Sequence, residues 1–106
     1  MEDLNIDNIR RICNLGNLLW TDHVAKRFRQ RGIRTSDIEN AIKTGEIIEE
    51  YPNDYPYPSC LILGLSVKNQ LIHLVCGVGE DFLYIITTYF PDPNKWEEGF
   101  KIRKGD

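Results

Sequence analysis

The sequence predicts an α+β fold: two to three N-terminal helices packed on a four-stranded, mainly antiparallel sheet. Three observations carry that prediction. Apolar residues keep helical spacing as far as Gly45, and β-rich runs follow from Glu46 onward. The later runs are joined by short polar turns, Lys68-Asn69-Gln70 and Gly79-Glu80-Asp81, which favour antiparallel neighbours in a meander. Helices that precede the strands as a block pack on one face of the sheet.

The first helix is expected over Ile6–Leu15, with Ile6, Ile9, Ile12 and Cys13 as its stripe, Asn5 or Asp7 as cap and Gly16 as its end. The second is expected over Asp22–Arg31, capped by Thr21 and stopped by Gly32. Ser36-Asp37-Ile38-Glu39 has the S-x-x-E form of a capping box and opens a third helix, Asp37–Lys43, which buries Ile38, Ala41 and Ile42. Glu46–Tyr51 reads as the first strand. The prolines of the loop 52–58 exclude regular structure there. Cys60–Val67, Leu71–Val78 and Phe82–Phe90 complete the sheet.

A chain of 106 residues holds one compact domain, taken as residues 1–106, and its 42% hydrophobic and 27% charged residues fit a globular protein. No apolar run approaches the roughly 18 residues of a membrane span, and the acidic N-terminus lacks the order of a secretion signal. Cys13, Cys60 and Cys76 are widely spaced and form no CxxC pair, and the only histidines, His23 and His73, lie far apart. A disulfide framework, structural zinc and any bound cofactor are not expected, and a reducing cytoplasm is the expected location.

The net charge of −3 argues against non-specific nucleic-acid binding by the whole molecule, but the charge is uneven. Residues 20–45 carry six basic and three acidic groups, whereas residues 46–98 carry two basic and nine acidic. The basic patch belongs to the helical half.

On the second helix, Val24, Ala25 and Phe28 cover one side. His23, Arg27, Gln30, Arg31 and Arg34 fall within about 100° of one another on the other side. Guanidinium groups at that spacing repel unless the face is open to water or holds an anion. The plain reading is a solvated charged face; the functional one is phosphate recognition, because the guanidinium fork matches paired oxygens. Neutral imidazole near physiological pH can accept a proton, as a general base must, which makes His23 a candidate.

His73 falls on the strand face opposite Ile72, Leu74 and Cys76 and reads first as a bonded interior residue. Tyr89 ends the last strand, where a phenol beside arginines can donate or accept a proton. Trp96 reads as the anchor that pins the C-terminal tail to the body. Glu49 and Glu50 are adjacent, hence on opposite strand faces, and do not form a carboxylate pair. No P-loop, dinucleotide fingerprint or nucleophile elbow occurs.

Several segments resemble one family in order and spacing across about residues 19–97. They are Thr21-Asp22-His23-Val24-Ala25-Lys26-Arg27-Phe28-Arg29-Gln30-Arg31-Gly32-Ile33, Gly45-Glu46-Ile47-Ile48-Glu49-Glu50-Tyr51, Pro56-Tyr57-Pro58-Ser59-Cys60, Leu71-Ile72-His73, and Ile86 through Trp96. They resemble the small bacterial domain of unknown function encoded beside MqsA-type zinc-finger antitoxins, which is similar to the RelE, BrnT and MqsR toxins. The resemblance implies a helix-then-sheet fold, a metal-independent endoribonuclease, RNA as substrate and an antitoxin protein as partner. Its helix motif falls on His23, Arg27 and Arg31, and its sheet motif on His73 and Tyr89. RNA cleavage of this kind needs a base for the ribose 2′-hydroxyl, for which either His23 or His73 serves. Arg27 and Arg31 would stabilise the phosphorane, and Tyr89 would orient or protonate. These five residues are the expected catalytic set. A non-catalytic protein-binding module and a structural homodimer remain as alternatives of other classes.

Overall fold

The computed structural model describes residues 4–105. Helix α1 (Ile6–Asn14) leads into a two-residue strand β1 (Leu18–Leu19), then helices α2 (Asp22–Gln30) and α3 (Thr35–Thr44). Strands β2 (Glu46–Tyr51), β3 (Ser59–Leu65), β4 (Leu71–Val78) and β5 (Leu83–Tyr89) follow. The class is α+β as expected, but the sheet is five-stranded and mixed, in the order β1-β5-β4-β3-β2. The correction concerns β1, which pairs parallel to β5 through Leu18–Leu83 and Leu19–Tyr84; the other pairings are antiparallel. Two residues are too short to show a period, and their partner lies more than sixty residues away, so no local signal marks them.

Helix ends follow their local chemistry closely. Asn5 accepts the Asn8 backbone N–H at 2.7 Å, and the Thr21 hydroxyl accepts that of Val24 at 3.1 Å. Gly32 adopts φ +74, and the Ile33 and Gly32 amides donate to the Phe28 and Arg29 carbonyls at 2.9 and 3.1 Å, a Schellman closure of α2. The cap of α3 is a correction. The helix starts at Thr35, and Asp37 rather than Glu39 reaches back, accepting the Arg34 backbone N–H at 2.9 Å. Its other oxygen accepts from the Val67 amide at 2.9 Å, which ties α3 to the β3–β4 turn and selects this register. The Arg10 guanidinium on α1 donates to the Ile42 and Gly45 carbonyls at 3.1 and 2.9 Å, satisfying the C-terminal end of α3.

The core lies between the helices and one face of the sheet. Ile9, Ile12, Phe28, Ile33, Ile38 and Ile42 meet Cys60, Ile62, Leu74, Cys76, Leu83 and Ile85 there, each no more than 5% exposed. Cys13, Cys60 and Cys76 are free thiols. Contact with Cys60 and burial push the Cys76 thiol well up, and burial pushes Cys13 up, so thiolate is disfavoured at both. The other sheet face is covered by the C-terminal segment. Trp96 is buried, as expected of an anchor, and it pairs with Arg103 across a small hairpin. Among the described residues no helix is long and apolar enough to cross a membrane.

Candidate functional site

The alternation of β4 and β5 decides where each candidate residue goes. Opposite Cys76 on β5 stands Ile85 and opposite Val75 stands Thr87, so Ile86 is the extra residue of a bulge. Strand β1 covers the outer edge of β5 only at Leu83 and Tyr84, and α2 lies beside the remainder. Its arginine completes the edge: Arg31 Nη1 donates to the Thr88 carbonyl at 2.8 Å, with the Thr87 hydroxyl at 3.4 Å. A backbone acceptor that would otherwise await another strand is thereby occupied.

Between α2 and this bulged edge lies a cleft of about 160 Å³. His23, Arg27 and Arg31 line one wall, with Ile86, Thr87 and Thr88 on the other. His23 and Arg27 are exposed and Arg31 is half-buried. Among the described residues the salt bridges join Arg11 to Asp81, Lys101 to Glu46 and Arg103 to Glu49, and none engages a cation of α2. The cleft is smaller than the roughly 300 Å³ at which small-molecule sites begin. It suits a phosphate-sized group of a longer ligand lying across it.

His73 and Tyr89 do not line this cleft. They face each other across β4 and β5 on the opposite side of the sheet, rings 5.4 Å apart. The five expected catalytic residues therefore fall into two groups on either side of β5. His73 is fully buried. Its Nε2 lies 2.9 Å from the Phe100 carbonyl, which only accepts, so the proton sits on Nε2. Nδ1 is left to accept from the Tyr89 hydroxyl at 3.4 Å. Trp96 stacks edge-on against the imidazole at 4.4 Å.

Four members of this second group were not legible as a site: Glu49, Tyr51, Trp96 and Arg103. Arg103 grips Glu49 with two bonds, 2.9 and 3.1 Å, and lies 4.6 Å over the Trp96 ring. The Tyr51 hydroxyl donates to the same carboxylate. The Arg103 bond holds the Glu49 carboxyl below its usual range, while burial raises the Tyr51 and Tyr89 phenols. The one signal in sequence is electrostatic: a basic tail, residues 99–106, follows an acidic half, and its Lys101 and Arg103 pair with Glu46 and Glu49 of that half.

Burial also lowers the His73 pKa, with the Arg103 charge acting in the same direction and the Phe100 carbonyl and Glu49 opposing. The sign follows from linkage. Above the ordinary value of 6.5 both folded and unfolded chains are neutral at this position. Below it the unfolded chain takes up a proton that the folded chain refuses, so stability falls with pH until the folded value is passed. Urea midpoints are thus expected to drop between pH 7.5 and 5.5, and a His73→Gln variant is expected to lose that dependence. The Glu49 contribution, present above its ordinary 4.5 and lost below it, lies in a lower window.

The model of a family described as a domain of unknown function, DUF4258, matches residues 20–90. The chain belongs to that family. No curated protein and no solved structure matches it. The DUF4258 span runs from Trp20, just before α2, to Phe90, just after β5, and so contains both walls of the α2–β5 cleft. The second group is completed from outside the span, by Trp96, Phe100 and Arg103.

Proposed function

We propose that this DUF4258 chain is a metal-independent endoribonuclease acting on single-stranded RNA at the α2–β5 cleft. The observation that carries this reading is the convergence of His23, Arg27 and Arg31, the arginines without salt bridges among the described residues, on one phosphate-sized cleft. In the reaction His23 takes the proton of a ribose 2′-hydroxyl, and the 2′-oxygen forms a bond to the adjacent phosphorus. The bond from phosphorus to the 5′-oxygen breaks, water protonates that oxygen, and a 2′,3′-cyclic phosphate remains. Arg27 and Arg31 stabilise the charge that builds on the phosphorane. His73 and Tyr89, on the other face, position β5 and do not touch the RNA. The sequence resemblance, through a domain similar to the RelE, BrnT and MqsR toxins, would imply the same chemistry and an antitoxin protein covering the basic face.

The test is incubation of the purified chain with end-labelled single-stranded RNA in EDTA. Cleavage leaving cyclic phosphate ends is expected, and a single 2′-deoxynucleotide at the mapped position should abolish it. RNA left intact with and without ribosomes would overturn the enzyme reading in favour of a binding module.

A further inference from the structure

A larger groove adjoins the cleft at the C-terminal end of α2. It measures about 660 Å³, within the range of sites that hold a whole nucleotide. Its lining residues follow those of the cleft along the chain: Gly32 comes directly after Arg31, and Phe90, just past the end of β5, comes two residues after Thr88. Arg29, Arg34 and Lys68 bring positive charge to the groove. Its one carboxylate, Asp37, already accepts from the Arg34 and Val67 amides. Phe90 is 40% exposed although it is a large aromatic. The far wall is built rather than loose. Asn40 donates to the Leu65 and Ser66 carbonyls at 2.9 and 3.1 Å, and the Ser66 hydroxyl accepts the Gln70 amide at 3.0 Å.

An exposed aromatic beside a net positive lining, here three cations against one carboxylate, is the combination that holds single-stranded nucleic acid, by stacking and backbone contact. We propose that this groove is a second subsite, in which Phe90 stacks a base of single-stranded RNA and Arg29, Arg34 and Lys68 hold its flanking phosphates. The inference rests on the RNA reading and deepens it: the small cleft takes the phosphate to be cut, and the groove takes the neighbouring nucleotide. A charged peptide would use the cations but gain little from a flat ring, which is why RNA is favoured here.

The test measures binding of a labelled single-stranded oligonucleotide whose 2′-hydroxyls are all methylated, so that it cannot be cleaved. Phe90→Ala and Phe90→Leu are both expected to weaken binding about 5- to 150-fold, since leucine keeps bulk but not the π-face. Phe90→Trp should retain affinity and show quenched emission on binding, relative to the unaltered chain. Changing Arg29, Arg34 and Lys68 together to glutamine should reduce the salt slope by about 2, at about 0.7 per phosphate. Unchanged affinity in the alanine and leucine variants overturns the subsite, even if the protein cleaves RNA. Phe90-dependent binding without cleavage of ordinary RNA leaves the subsite standing and removes the ribonuclease. A glutamate decapeptide that binds as tightly as the oligonucleotide, and loses as much on Phe90→Ala, overturns it in favour of a protein partner.

Discussion

His23→Ala is expected to slow RNA cleavage about 100- to 10,000-fold, the usual contribution of a positioned general base. The fold should hardly notice. His23 is exposed on α2, and surface changes of this kind usually stay within about 0.5 kcal/mol. The opposite pattern is expected at His73, whose two ring nitrogens are engaged by Tyr89 and Phe100 in a fully buried position. Removing that ring leaves an unpaired carbonyl and a cavity, so His73→Ala should appear as lost stability. A fully folded His73 variant without activity, beside an active His23 variant, would move the chemistry to the other face of the sheet. The arginines divide in the same way. Arg27 is exposed, and Arg27→Lys tests bidentate contact alone, because an ammonium cannot reproduce the guanidinium fork. Arg31 also occupies the Thr88 carbonyl, so its replacement mixes lost activity with a freed strand edge. If His23 and Arg27 act on one phosphate, the double variant should be little worse than the poorer single variant.

What the sequence revealed of this architecture was local, and what it hid was long-range. Thr21 and Gly32 frame α2 through contacts three to five residues away, and both were readable. Ser36 is the cap the sequence offers for α3, yet the helix opens at Thr35, and the bond that Asp37 accepts from the Val67 amide, thirty residues on, favours that start. The α2 side of the cleft was visible because residues spaced by four share a helix face. Its other wall, Thr87 and Thr88, depends on a bulge at Ile86 that β-strand alternation alone does not announce. His73 and Tyr89 each stand out in the sequence, yet their pairing is a matter of strand register, and the tail residues that close over them arrive from the far end of the chain.

Gly64→Ala is expected to destabilise the protein by about 3 kcal/mol or more, at or beyond the upper end of ordinary overpacking. A Cβ at Gly64 would stand 2.2 Å from the Ala41 carbonyl oxygen, 2.7 Å from its Cα and 2.8 Å from its carbonyl carbon. These are backbone atoms, so no rotamer change relieves them and α3 must lift from β3. Lifting it exposes Ile38 and Ile42, both buried in the core. For a domain of this size the melting temperature should fall by about 12 °C or more. Gly77→Ala on β4 supplies the control. Its Cβ would meet Tyr57 Cβ at 3.6 Å and Tyr84 Cβ at 3.7 Å, ordinary contact distances. There alanine should be neutral or stabilising by up to about 1 kcal/mol, since it restricts the unfolded chain without straining the strand. Thermal melts of the two variants should therefore move in opposite directions or by very different amounts. Adding Ala41→Gly should not rescue Gly64→Ala, because the obstruction is the helix backbone and not the Ala41 methyl. Rescue by that second change would show that side-chain packing, not the approach of α3 to the sheet, sets the requirement for glycine at this position.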